Sequence, residues 1–322
     1  MRRAVLRLVV LLGLCALLGL LPRAASAQTC SATPSALSFG SVSPIALSPV
    51  SATGSILVQC TWPSVTLLPS VQVCLNMAGP VVRSMLSGSN QLQYGLYQDT
   101  NNSIAWGSTA LGTTPISLIL DKPLTGVTTS TTVNYYGQVA SNQPTVPTTG
   151  NSTTTYSDLD SQLTVNYAFF LLLSPGCAGA TTSSAGGAFN VTAMVTNNCL
   201  ISATNIAFTA SGVLKSALSA TGAITARCTN GDAFQIALSG GSTNNVAARQ
   251  MQRSGGGGAV NYQLYVDSGH ATAWGNGSAG TSMATGTGTG NPVSISVYGL
   301  VPAQSTPMPG SYSDSITATI SF

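Results

Sequence analysis

The sequence predicts an all-β protein: two tandem immunoglobulin-like β-sandwich domains, the second closing on an uncovered edge. Three observations predict it. Apolar residues recur in short runs of period two between clusters of Gly, Ser, Thr and Pro; one set of motifs occurs twice at matched spacing; and the second copy closes on an apolar strand at Phe322 with nothing after it to cover that edge.

The elements follow in chain order. Arg2 and Arg3, an apolar run over residues 4–21, and Ala25-Ser26-Ala27 are the three parts of a secretory signal, predicted to span 1–27 with cleavage before Gln28. Cys15 leaves with it, and Cys30, Cys60, Cys74, Cys177, Cys199 and Cys228 remain, an even set that an exported chain holds as disulfides. The basic residues beyond the signal are Arg83, Lys122, Lys215, Arg227, Arg249 and Arg253, set against seven acidic residues that are all Asp. So few scattered cations make no stripe for a phosphate backbone, and no nucleic-acid partner is expected.

The repeat organises the rest. Ser51-Ala52-Thr53-Gly54 leads to Cys60-Thr61, and Ser219-Ala220-Thr221-Gly222 leads to Cys228-Thr229. Tyr94-Gly95-Leu96-Tyr97-Gln98-Asp99 reaches Ala105-Trp106-Gly107, and Tyr262-Gln263-Leu264-Tyr265-Val266-Asp267 reaches Ala273-Trp274-Gly275. Tyr156-Ser157-Asp158 and Tyr312-Ser313-Asp314 open the two closing strands. The matched cysteines are most simply bridged Cys30 to Cys60 and Cys199 to Cys228, and Cys74 then pairs with Cys177 by elimination; position 74 aligns with Ala237, so that bridge belongs to the first copy alone. The expected domains are 28–173 and 188–322 with a Ser/Pro/Gly/Ala/Thr linker at 174–187. Either residues 170–173 or residues 188–196 could complete the first sheet, or 188–196 could simply open the second domain; the sequence leaves this open.

Chemistry is sparse. His270 is the only His, has no match in the first copy and has no Cys or carboxylate at metal spacing, so it reads as a loop residue; no cofactor or metal is expected. Asp99 and Asp267 sit in separate domains and suit turns better than acid–base work, as do Asp158 and Asp314. The Gly runs at 255–258 and 286–290 precede no helix and read as hairpin loops. Nothing here predicts an enzyme.

The first copy carries three insertions that the second lacks, after Cys60, between Trp106 and Tyr136, and between Tyr136 and Tyr156. Apolar residues grouped on long loops suggest contact with a partner or surface. The candidate surface-binding residues are Trp62, Val65, Leu67, Leu68, Leu124, Val127 and Val146.

The Cys to Cys spacing near thirty residues, Y-x-L-Y-x-D followed by A-W-G, and the closing Y-S-D strand together resemble the spore coat protein U domain, found in subunits of archaic, Csu-type chaperone-usher pili. The resemblance implies an incomplete immunoglobulin fold that a periplasmic pilus chaperone and then an adjacent pilin subunit complete by strand addition, with an outer-membrane usher as a further partner. A two-copy chain is similar in layout to the tip adhesin, whose apolar finger-like loops attach to an abiotic or host surface. On this reading the chain is secreted through the periplasm to the pilus tip at the cell surface, and Ile316, Ala318, Ile320 and Phe322 form the edge that accepts a donor strand. A purely structural shaft or coat subunit is the alternative.

Overall fold

The computed structural model describes residues 28–322, apart from the side chain of Asp160. The predicted signal, with Cys15, lies outside the described residues. Among the described residues no helix is long and apolar enough to cross a membrane.

The first domain holds β1 (Thr29–Pro34), β2 (Leu37–Val42), β3 (Val50–Thr61), β4 (Ser70–Met77), β5 (Val82–Ser87), β6 (Asn90–Tyr97), β7 (Ile116–Asp121), β8 (Thr128–Val139), β9 (Thr154–Phe170) and β10 (Thr182–Val195). Their order in the sheet is β1-β3-β8-β6-β5-β9-β10-β2, and β4 pairs with β7 and β9. Period-two patterning explains the packing: on β3, Ile56, Val58 and Cys60 are buried while Leu57 and Gln59 face solvent. β9 serves both layers, because its first half reaches β5 at Ser157 and its second half pairs with β4 from Leu163 to Phe170.

The second domain holds β11 (Cys199–Ala203), β12 (Leu218–Cys228), β13 (Ala233–Leu238), β14 (Arg249–Arg253), β15 (Ala259–Tyr265), β16 (Ala284–Thr287), β17 (Val293–Val301), β18 (Tyr312–Ser313) and β19 (Ala318–Ser321). One sheet runs β11-β12-β17-β15-β14-β18 and the other β16-β13-β19. The repeated tryptophan is structural in both copies: the indole N–H of Trp106 donates to Leu75 O and that of Trp274 to Ile236 O, each at 2.8 Å. The following glycine carbonyls accept from Met77 N at 2.9 Å and Leu238 N at 3.0 Å. A Cβ on Gly107 or Gly275 would run into Thr113 or Thr281, which is why the motif is Trp-Gly in both places. These bonds match Leu75 with Ile236, so the position equivalent to Cys74 is Gln235 and the expected alignment with Ala237 is two residues out.

β10 corrects the expected domain boundary. Residues 182–187, expected in a linker, and 188–195, expected either to complete the first sheet or to open the second domain, form one strand that is antiparallel to β9 and parallel to β2. Phe189, Val191, Ala193 and Val195 fill the first domain's core. By sequence the strand leads straight into the second copy; by pairing it closes the first. Residues 171–173 join no strand.

Disulfides connect Cys30 to Cys60, Cys199 to Cys228 and Cys74 to Cys177. The first two join directly paired residues of neighbouring strands. The third ties β4 to a single helical turn, Gly176–Gly179, that lies between β9 and β10.

Candidate functional site: a strand groove and an apolar pole

In the first domain β10 lies between β9 and β2, covering Leu37, Ile56, Met77, Met85, Tyr94, Leu96 and Tyr135, all of them buried. The matched residues of the second domain, Ile206, Ile224, Leu238, Met251, Tyr262, Leu264 and Val297, line an open groove of about 460 Å³. Its walls are residues 203–208 on one side and 312–318 on the other. No strand of the described residues runs between them. Residues 206–211, matched to β2, accordingly form no strand, since β2 owes its pairing to β10.

Of the four edge residues expected from sequence, two line this groove. Ile316 and Ala318 line the groove, Ile320 pairs with Ile236, and Phe322 is 45% exposed beyond the end of β19. Tyr312 and Asp314 also line the groove, although sequence patterning did not single them out as part of it. The Tyr262 hydroxyl donates to the Asp314 carboxylate at 2.7 Å, as Tyr94 does to Asp158 at 2.6 Å. Burial, reinforced by that carboxylate, pushes both Tyr94 and Tyr262 well above the ordinary phenol range. Asp314 further accepts Ser242 N and Ser315 N, each at 2.8 Å. Beneath them Arg249 is fully buried and donates to the Ser239 carbonyl at 2.9 and 2.8 Å; burial lowers its pKa, against the pull of Tyr262 and Asp314.

The apolar loops divide. Trp62 is 0% exposed and packs edge-on against Phe169 at 5.5 Å, and Val146 is 2% exposed; both belong to the core rather than to a contact surface. A β-branched or aromatic side chain on a loop gains about 1.5–3 kcal/mol by turning inward where a cavity is offered, and these two take that route. Val65 and Leu67, at 86% and 83%, and Leu124 are fully outside, Val127 is exposed at the margin, and Leu68 is half-buried.

Backbone bonds hold the first two insertions together: Trp62 N donates to Val127 O at 2.8 Å and Lys122 N to Pro69 O at 2.7 Å. Ser70 pairs with both Asp121 and Phe170, so the chain leaving β9 joins the same pole, carrying exposed Leu171, Leu172 and Leu173. The visible signal for those three leucines was that they break the alternation of β9 just before a Ser-Pro-Gly turn.

The third insertion lies at the other end of the 17-residue strand β9. There it grips the second domain. Asn151 exchanges two bonds with Ala233, 2.8 Å from Nδ2 to O and 3.0 Å from N to Oδ1. Asn230 Nδ2 donates to Thr145 O at 3.1 Å, Thr148 donates to Asp232, and Arg227 donates to Asn142. Asp99 and Asp267 organise turns: the Asp99 carboxylate accepts Ile104 N at 2.7 Å, that of Asp267 accepts Ala271 N at 3.0 Å and Thr272 N at 2.7 Å, and these bonds hold each below the usual carboxylate range. His270 packs edge-on against Tyr265 in the second of those turns. Among the described residues no group of three His, Cys, Asp or Glu is placed to hold a metal ion.

A two-domain, nearly all-β chain with one sheet closed by its own strand and one left open is a pilin-type fold. Residues 17–159 and 185–319 match the family model of the Spore Coat Protein U domain, and the chain belongs to that family. Protein U of Myxococcus xanthus is 35% identical over 108 residues, which are 32% of this chain and 59% of that protein's length. Among solved structures, the chain is similar to the CsuC–CsuE chaperone–tip adhesion subunit pre-assembly complex from archaic chaperone-usher Csu pili of Acinetobacter baumannii, at 16% identity and a TM-score of 0.51, over 91% of this chain and all of the matched one. The CupB6 tip adhesin of Pseudomonas aeruginosa matches at 11% identity and a TM-score of 0.37, over 91% and 94% of the two chains.

Proposed function

We propose that this chain is the tip adhesin of a chaperone-usher pilus. The observation that carries the proposal is the asymmetry of the two grooves: the first is filled by β10 of the same chain, and the second, built from matched residues, is open. A subunit so built accepts a strand through its second domain, first from a periplasmic chaperone and then from the adjacent pilin at an outer-membrane usher, and presents its first domain outward. The internal repeat supports the orientation. The pole of the second domain that carries residues 229–233 is gripped by the first domain, whereas the same pole of the first domain is free and bears Val65, Leu67, Leu124 and Leu171 to Leu173.

That pole attaches to a surface, abiotic or host, by hydrophobic contact, and the protein does no catalysis. The test is attachment by piliated cells carrying Leu67→Ser, Leu124→Ser and Leu172→Ser together. Attachment is expected to fall at least ten-fold with pilus number and the three disulfides unchanged; unchanged attachment overturns the adhesive assignment. The printed name of the family, the Spore Coat Protein U domain, favours the second reading, a structural shaft or coat subunit. Immunogold label along the whole fibre or on a coat, rather than at fibre ends, would select it.

A further inference from the structure

We infer that the open groove selects a strand that alternates without interruption and turns away β10 of this same chain. The inference rests on the strand-docking reading proposed above and names the chemistry of the docking strand.

The two grooves differ by one residue. Each closing strand is anchored at two matched points: the Tyr94–Asp158 and Tyr262–Asp314 hydrogen bonds, and the pairing of Leu163 with Met77 and of Ala318 with Leu238. From Asp158 to Leu163 the chain takes one step more than from Asp314 to Ala318. The extra residue is a bulge in β9, and the β9–β10 register shifts there, between Phe189 and Val191.

β10 carries a second bulge that cancels the first. Its register shifts again between Ala185 and Ala188, at Gly186-Gly187. Both glycines are required: Gly187 has φ +84°, and a Cβ on Gly186 would stand 2.6 Å from Leu163 Cγ and 2.7 Å from its carbonyl oxygen. With the two shifts balanced, residues 182–185 and 191–195 hold the same register against β9, and Phe189, Val191, Ala193 and Val195 point inward. Without the balance, a one-residue slip would turn part of the strand inside out.

The second domain offers no bulge to balance. Asp314, Ile316, Ala318 and Ile320 face the interior while Ser315, Thr317 and Thr319 are exposed, in unbroken alternation. A strand laid antiparallel to them, with the counterpart of Val191 opposite Asp314, sets position 189 opposite Ile316, 187 opposite Ala318 and 185 opposite Ile320. In β10 the last two are Gly187 and Ala185, which leave the groove nearly empty there. The fitting strand carries bulky apolar residues opposite Ile320, Ala318, Ile316 and Asp314, and a small one opposite Tyr312, where Ala193 faces Tyr156 in the first domain. The mismatch keeps copies of this chain from threading one another's grooves, so they do not polymerise with themselves.

The experiment compares three 14-residue peptides added to the mature, oxidised chain, with hydrogen exchange at residues 204–213 and 312–321 as the readout. The first is residues 182–195 unchanged. The second carries Ala185→Val, Gly186→Thr and Gly187→Val, with apolar side chains on the inward side. The third carries Ala185→Thr, Gly186→Val and Gly187→Thr, which raises strand propensity equally but sets hydroxyls inward and the apolar side chain outward. The second is expected to bind at least ten-fold more tightly than either of the others, with protection confined to the second domain. Equal or tighter binding of the first or third overturns the inference and leaves the docking reading standing. Protection by none of the three overturns both.

Discussion

The ring of Phe189 lies nearly parallel to that of Trp106, with 15° between the planes and 6.3 Å between centroids, and meets Tyr135 edge-on at 5.3 Å. Phe189 arrives on a strand that, by sequence, introduces the following domain. In that domain Trp274 keeps its bond to Ile236, Val297 takes the place of Tyr135, and among the described residues no ring lies on the tryptophan.

Removing the ring should therefore open the first domain. Phe189→Ala is expected to lower its stability by about 3–5 kcal/mol, the usual cost of a large core truncation. Denaturant unfolding of the mature chain, followed by tryptophan fluorescence, measures it; a change under about 1 kcal/mol would contradict the role of β10 as that domain's own closing strand.

Trp62 separates packing from polarity. Its indole nitrogen is buried without a hydrogen-bond partner. Trp62→Phe removes the unsatisfied donor and keeps most of the contact with Phe169, so its cost is expected to stay below about 1.5 kcal/mol, whereas Trp62→Ser should cost about 3–5 kcal/mol. Thermal denaturation of the two variants gives the comparison, and equal losses would contradict it.

The Cys74–Cys177 bridge spans 103 residues and secures the segment between β9 and β10. Replacing both cysteines by Ser is expected to destabilise the first domain by about 2–5 kcal/mol. Hydrogen exchange should quicken first at 171–181, loosening the exposed leucines while the matched bridges stay formed.

Acid should act on the two matched turns. The Asp99 and Asp267 carboxylates are held below 3.8, their unperturbed value, by backbone N–H donors. A depressed native pKa contributes stability that is present above the unfolded value and lost as pH falls through the native one. Carboxyl chemical shifts should thus titrate below 3.8, with the turns at 99–104 and 267–272 loosening in the same range. Midpoints above 3.8 would contradict the assignment.

Asn151 tests the joint between domains. Its φ of 55° favours Asn or Gly, so Asn151→Gly deletes both bonds to Ala233 without backbone strain. The spread of spin-label distances across the two domains is expected to widen; an unchanged distribution would mean that the remaining contacts suffice.

Much of this was legible in the chain. Strand content and the repeat follow from local pattern, because alternation and turn residues act over a few positions and the matched Trp-Gly, Tyr and Cys motifs each hold a local bond. The apolar loops were legible only in part. Val65, Leu67 and Leu124 point outward, but Trp62 and Val146 share their composition and turn inward, since the direction of a loop side chain depends on whether distant strands leave it a cavity. Leu171 to Leu173 joined the pole only because β9 ends beside β4 and β7.

Sequence alone determined that there are two copies and that Ile316, Ala318 and Ile320 alternate with polar residues in the closing segment of the second. Tertiary structure alone decided which domain β10 completes, which end of the first domain is free, and how the two grooves differ by a single residue. The physical reason is that strand pairing is non-local. Alternation tells a strand which face to bury, but any edge with the matching period satisfies it, and only the balanced bulges at Gly186-Gly187 and in β9 make one edge the right one.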